Sequence, residues 1–518
     1  MDNQTKLDVP LNKSYEMKEF PVESSNFTKF QDNHETDHSK SIGSPTIKEF
    51  DTQEATLFDN ILNRIGFGKY HYKVFFILGL LGMADGSESI VISFVIPIFM
   101  KEFQPTFDFE SDLGTCIYIG YFIGSLLSGY FSDKYGRKRP VIYSNLLMII
   151  LGLISAFPPG LVSFIFLRGL FGIIVGFFSP LSYSILAEIT PLKYRGKYMV
   201  LLGIFYTIGE VISCLIAIFT LENLDSGNWH ALLAWSTLPA FFAWIASTFY
   251  LDESARHEMM IGNFSNGIRI LNKMYKENHG REGPVMTPEE EKELMRTHTI
   301  LLKQKKKQEE KVLVKELFKG INKKITPSIW FNWFANCLTF FGLIYLLPTT
   351  LSLLNKDDQS KENKFDVSSV IYSCLSELPS VFVVAAIIDV KYLGRKNSLF
   401  LTFLIGGITC FFAYFQMAPG FVFWISITKF FFNITFTLNY QFTSEIYPTR
   451  IRGTGIGMAS AFGRIGSFLM PNLVTWLQSF GTLVPYLLYA IGSAIAGFGT
   501  LLLPYDTTQI EMGVLDQL

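Results

Sequence analysis

SDKYGRKRP at residues 132–140 and IDVKYLGRKNS at 388–398 are two versions of one pattern: an acid, a glycine and a cluster of bases closing an apolar block. At nearly the same separation each is followed by a second shared stretch, AEITPLKYRGK at 187–197 and SEIYPTRIRGTG at 444–455. In both, an acid stands seven residues before an arginine: Glu188 to Arg195, and Glu445 to Arg452. The chain therefore repeats itself once. Parallel repeats of this kind build one large class of alternating-access membrane proteins.

Working outward, the apolar residues fall into blocks of the length that crosses hydrocarbon as a helix, roughly 20 residues. They lie near 72–100, 113–132, 140–157, 161–187, 198–221, 231–251, 327–354, 367–388, 398–416, 421–444, 453–478 and 483–503. A water-soluble chain of 518 residues would instead separate its domains by polar linkers. A backbone in hydrocarbon must satisfy its own N–H and C=O groups, which favours helices, and the short alternating strands of a barrel are not seen. The expected fold is an all-α membrane protein of twelve transmembrane helices in two six-helix bundles.

Basic residues collect in the loops after even-numbered spans, at Lys134 to Arg139, Lys193 to Lys197, Lys391 to Lys396, and Arg450 with Arg452. That bias places both termini in the cytosol. The expected organisation is a mostly disordered cytosolic tail (1–68), a first bundle (69–251), a charged cytosolic linker (252–325), a second bundle (326–505) and a cytosolic C-terminal tail (506–518). Within the first tail, Leu57, Ile61, Leu62 and Ile65 have near-helical spacing, for a short helix on the membrane surface or against protein. The five cysteines sit in apolar blocks and read as small hydrophobes. A net charge of −1 gives no reason to expect nucleic acid. There is no Gly-rich phosphate loop, ligand-spaced Cys/His cluster or nucleophile elbow, so neither an enzyme, a cofactor, a metal nor an ATP-driven pump is expected.

Several stretches resemble signatures of the major facilitator superfamily. GYFSDKYGRKRP (129–140) resembles its loop between spans two and three, RGLFGIIVG (168–176) its fourth-span pattern, and LDESARHEMMIGN (251–263) the end of span six in sugar-porter relatives. NRIGFGKYHYK (63–73), MADGSE (83–88), ELP (377–379) and SEIYPTRIRGTG narrow the likeness to the synaptic-vesicle-two-related branch, near organic-ion and niacin-type transporters. The likeness covers about 63–505. It departs in the second half, where Asp389 and Gly394 have two extra residues between them, Ala385 replaces the first glycine, and Lys429 stands where arginine is expected.

Three groups of residues are candidates for mechanism. Gly129, Asp133, Gly136, Arg137 and Lys138, with Glu188 and Arg195, form an expected cytosolic gate, in which Asp133, Arg195 and Glu188 hold the inner side shut and the glycines allow close approach and a turn. Asp389, Arg395, Glu445 and Arg452 repeat it. The alternative is a static topology signal.

The second group is charges within spans: Asp85, Glu88, Arg168, Glu210, Glu377, Lys429 and Arg464. An acid at a helix centre costs roughly 2.5–3.5 kcal/mol on insertion scales, so such groups are paired or face water. Arg168 is the candidate partner of Asp85 and Glu88, and Arg464 of Glu377. The first bundle holds three such acids and one base. Asp85 or Glu88 is the expected proton carrier, Glu210 a weaker one. The third group is polar side chains expected to line a cavity, chiefly Asn336 and Tyr440, each equally able to bond between helices.

The expectation is a monomeric secondary transporter in a plasma or vesicle membrane, moving a small organic ion by alternating access, with possible partners being protons. The alternatives are a facilitative sugar carrier and a receptor or vesicle scaffold that kept the fold.

Overall fold

The computed structural model describes residues 57–305, 313–357, 366–387, 394–417, 420–447 and 452–506. Helix α1 covers 57–65. The first bundle follows as α2 (Lys69–Glu102), α3 (Phe109–Tyr135), α4 (Lys138–Ser155), α5 (Leu161–Ile189), α6 (Leu192–Thr220) and the pair α7 (Trp229–Trp235) and α8 (Leu238–Tyr250). A small hairpin, β1 (Leu221–Asn223) and β2 (Ser226–Gly227), joins α6 to α7. The linker carries α9 (Ala255–Met260), α10 (Phe264–His279), α11 (Pro288–Lys305) and α12 (Leu313–Glu316). The second bundle is α13 (Asn322–Asp357), the pair α14 (Val367–Leu375) and α15 (Leu378–Ile387), α16 (Arg395–Tyr414), α17 (Phe421–Ile446), α18 (Arg452–Gln478) and α19 (Val484–Leu501).

Among the described residues, eleven helical segments are long and apolar enough to cross a membrane. The twelfth expected span is α18, a helix of 27 residues. Five glycines, at 453, 455, 457, 463 and 466, dilute its apolar content.

Proline breaks two spans in the same way. Its ring lacks an N–H and clashes with the carbonyl four residues back. Pro239 lies four residues after Trp235, where α7 ends, and Pro379 four after Leu375, where α14 ends. The breaks fall at Ser236–Thr237 and Ser376–Glu377, inside the protein, where other groups satisfy the freed backbone. Ser87 Oγ, for example, donates to Ser236 O at 3.0 Å.

Small residues bring the helices together. A side chain at Gly124 of α3 would run into Ile173 O, and one at Gly176 of α5 into Tyr121 O. Gly172 and Gly176 of RGLFGIIVG thus serve backbone-to-backbone contact, and Gly169 makes room for the Cys116 sulfur. Gly86 does the same for α2 against Tyr206 O of α6.

Helix α1 buries Phe58, Ile61, Leu62 and Ile65. It seats on protein: Arg64 Nη1 donates to Val285 O at 2.8 Å, Arg64 Nη2 reaches Glu290 Oε1 at 2.7 Å, and Asn278 Nδ2 donates to Gly66 O at 3.0 Å. Gly66, at φ +67°, closes α1 in the left-handed conformation that glycine adopts at helix ends. The side-chain hydrogen bond from Arg64, helped by the Thr287 N–H, holds the Glu290 carboxyl down to about 2. Its folded value lies below the ordinary one of about 4.3, so this contribution is full above that pH and fades as pH falls through the folded value. Both groups are partly exposed, which limits the pair to at most about 1 kcal/mol. Arg64→Ala should speed amide exchange in α1 by a few-fold at neutral pH, measured by mass spectrometry. The wild type should show the same loosening only in strong acid.

Candidate functional site

The stretch GMADGSESIV (82–91) lies in α2 and sends its two acids to different partners. Glu88 accepts from Arg168 Nη1 of α5 at 2.8 Å and from Ser236 Oγ, at the α7–α8 break, at 3.2 Å. Arg168 is itself buried, its guanidinium within 5.4 Å of the Phe164 ring centroid and 5.2 Å of the Phe171 centroid. Asp85 accepts from Tyr121 OH of α3 at 2.9 Å. The guanidinium of Arg464, on α18 in the other bundle, lies over that same Tyr121 ring at 5.2 Å and over Phe341 at 5.5 Å. Arg464 therefore does not pair with Glu377: its helix faces α3 across the bundle interface.

Glu377 stands at the α14–α15 break and meets Lys429 of α17, Nζ to Oε1, at 2.7 Å. Asn433 Nδ2 donates to its other oxygen at 3.0 Å. Lys429 Nζ also lies 3.5 Å from Glu210 Oε2, on α6 of the first bundle. Residue spacing gave Glu210 no partner; its partner is 219 residues away in the chain. Cys214 and Cys374 flank the cluster, sulfur to sulfur 3.9 Å, and Cys374 Sγ is 3.5 Å from Lys429 Nζ.

Tyr440 stacks on Tyr183 of the first bundle, centroids 5.8 Å apart, and meets the Trp333 ring edge-on at 4.5 Å. Both polar atoms of the Asn336 side chain are buried without a hydrogen-bond partner. A cavity of about 20 Å³, room for a water molecule, is lined by Glu88, Arg168, Tyr118, Tyr121, Phe171 and Tyr345 among others. At the end remote from the basic loops the bundles touch through Asn472 Nδ2 to Thr115 Oγ1, 2.7 Å, and Tyr345 OH to Glu110 O, 2.6 Å. Glu110 is buried, one carboxyl oxygen unpartnered; sequence reading passed over it because it lies at a span edge.

At the basic end each half builds the same device. Arg137 reaches Glu188 at 3.0 Å, and Arg395 reaches Glu445 at 2.6 Å. Glu253, just after α8, accepts from the backbone N–H of Arg137 at 2.6 Å and of Lys138 at 3.2 Å. Asp506, just after α19, accepts from Arg395 and Lys396, both at 3.1 Å. Each acid thus caps the start of a helix, where unpaired N–H groups favour negative charge. Gly136, at φ +90°, packs so closely on Glu253 that a side chain there would collide with its carboxylate.

Two gate expectations change. Glu188 pairs with Arg137, while Arg195 reaches Asp59 of α1 at 3.0 Å and donates to Thr190 O at 3.3 Å. Pro191 starts a new helix between Glu188 and Arg195, so the seven-residue spacing does not place them face to face. Gly129 meets nothing within 4 Å and makes no close approach in this state. The side chains of Asp133 and Arg452, and the whole of Asp389, lie outside the described residues.

The chain matches the family described as "Sugar (and other) transporter" over residues 80–512. It belongs to that family, within the major facilitator superfamily. It is 28% identical over 484 residues to the synaptic vesicle 2-related protein of Xenopus laevis, covering 90% of this chain and 84% of that protein. It is 27% identical to organic cation/carnitine transporter 7 of Arabidopsis thaliana (87% and 94% covered) and 26% identical to the niacin transporter NiaP of Acinetobacter baylyi (80% and 89%). Among solved structures, the inward-open xylose transporter XylE of E. coli superposes with a TM-score of 0.67 at 19% identity, over 86% of this chain and 99% of that one. That likeness is one of fold. As a family member the chain is a multi-pass membrane transporter.

Removing one partner of a buried ion pair costs about 3–5 kcal/mol. Lys429→Ala should therefore lower the thermal-unfolding midpoint of the purified protein clearly. Glu210→Gln, which leaves Glu377 paired with Lys429, should leave that midpoint unchanged or raise it.

Proposed function

We infer that the chain is a secondary active transporter for a small organic ion bearing a carboxylate, working by alternating access as a monomer. The observation that carries this reading is Arg464. Its guanidinium is buried at the bundle interface, its Nη1 has no hydrogen-bond partner, and among described residues no carboxylate forms an ion pair with it; Asp85 balances its charge only at longer range, from beyond the Tyr121 ring. An arginine fork in that setting suits a carboxylate. Around it Tyr118, Tyr121, Phe341, Phe436 and Tyr440 offer ring faces, which suit a flat ring or a quaternary ammonium. Carnitine and niacin, named for two relatives, share a carboxylate joined to a group of one of those kinds. The cavity of about 20 Å³ admits no such solute, so the bundles must part for one to enter.

In this reading the basic loops face the cytosol, as do both termini, and the membrane is that of the cell or of a vesicle. Arg137–Glu188–Glu253 and Arg395–Glu445–Asp506 act as the two halves of the cytosolic gate. Arg195–Asp59 ties α1 to it.

Uptake by proteoliposomes tests the reading, with labelled nicotinate, carnitine, tetraethylammonium and xylose, each with and without a pH gradient. Nicotinate or carnitine should enter. Arg464→Ala should cut that uptake about tenfold or more, the equivalent of a lost charge-assisted hydrogen bond of about 1.5–3 kcal/mol. Uptake of xylose alone would make the chain a sugar carrier. Uptake of nothing would favour a receptor or scaffold.

A further inference from the structure

Among the described residues at mid-depth of the spans, four carboxylates face three cations: Asp85, Glu88, Glu210 and Glu377 against Arg168, Lys429 and Arg464. Two groupings balance. Glu88 has Arg168, and Asp85 has the Tyr121 hydroxyl with Arg464 over the same ring. The third does not: Glu210 and Glu377 share Lys429, and all three side chains have 0% exposure. Two buried carboxylates on one ammonium leave an uncompensated negative charge, which costs several kcal/mol in a water-excluded site. Taking up one proton removes that cost.

We propose that Glu210, Glu377 and Lys429 form a proton-binding site shared between the two bundles, holding one proton while the interface is closed. The geometry says how it empties. Glu377 and Lys429 belong to the second bundle and pair closely, with Asn433 completing the shell. Glu210 belongs to the first bundle, reaches Lys429 only at 3.5 Å, and keeps Oε1 without a hydrogen-bond partner. When the bundles part, Glu377–Lys429 stays neutral on one side. Glu210 is left alone in water and gives up its proton. Closing again requires one proton from water to rejoin a carboxylate; no electrons move.

The ionisable groups facing Glu210 are Lys429 from α17, Cys374 from α14, Glu377 from the α14–α15 break, and Tyr206 from its own helix. Cys214, also on α6, faces Cys374. Asp85 of α2 acts on Tyr206. Arg168, Glu188 and His230, from α5 and α7, are engaged with Glu88, Arg137 and Ala156 O. The site is thus distinct from the Asp85–Glu88 pair that the sequence singles out.

The opening step rests on the transport reading above; the closed-state proton does not. The test is therefore infrared pH-difference spectroscopy of the full chain in lipid nanodiscs, following the carbonyl stretch of protonated carboxylic acids. With Glu110, the other buried glutamate with an unpartnered carboxyl oxygen, replaced by Gln throughout, the chain should show one acid band shifted by isotope-labelled glutamate. The band should vanish in Glu210→Gln and equally in Glu377→Gln, because either change leaves one carboxylate for one lysine. It should survive in Asp85→Asn. In Lys429→Gln, which strands both carboxylates, it should about double, a gain that loss of fold cannot imitate. Survival in either glutamine variant, loss in Asp85→Asn, or an unchanged band in Lys429→Gln overturns the site. If no solute is taken up yet the bands behave as described, the proton site stands and the transport reading falls.

Discussion

A carboxylate surrounded by hydrocarbon needs a cation, a donor or a proton, and among the described residues this chain places more carboxylates than cations at mid-depth of its spans. The helices are arranged around that shortage. Arg168 draws α5 onto α2, and Ser236 adds the broken α7–α8 span to the same carboxylate. Lys429 draws α17 toward α14–α15 and, across the interface, toward α6. Two of the groupings bridge the bundles through a single side chain each, Tyr121 and Lys429. At mid-depth the polar contacts between the halves are few, and rings pack beside them, Tyr183 on Tyr440 and Tyr118 by Phe341. Polar contacts of this kind can break and reform as the bundles move.

The basic end obeys a different rule. There the acids sit at helix starts, and the helix N-terminus does part of the work of a cation. Glu253 and Asp506 come from stretches with no shared sequence pattern, LDESARHE and LLLPYD, yet each caps the helix that follows its own half's basic loop. The repeat is thus more complete in space than in sequence. A carboxylate of either length can accept from two exposed N–H groups, so selection need not keep the letters alike.

Much of the fold was legible. Block length and the demand for internal hydrogen bonding fixed helices, and the repeat fixed how they group. Pro239 and Pro379 already marked two breaks that the block reading treated as continuous spans. The site was legible only as a set of residue types. Asp85 and Glu88 share a helical face by spacing, and Arg168 is the base of the same half; the pairing of Glu88 with Arg168 follows from neighbours in one bundle. Arg464 and Lys429 are different. Their partners lie in the other bundle or at a helix break, and spacing along one helix carries no information about either. The seven-residue step from Glu188 to Arg195 misled for a similar reason, because Pro191 starts a new helix within it.

By itself, then, the sequence determined the spanning helices, their two-fold repetition, the basic end and the inventory of buried charge, since each depends on local composition and on the bilayer's thickness. Which acid meets which base was decided only by the tertiary structure. A helix fixes the direction of a side chain relative to its own axis, but the rotation and depth of twelve helices against one another come from packing at glycines such as Gly86, Gly124 and Gly176. That packing left Glu210 and Glu377 to share one lysine.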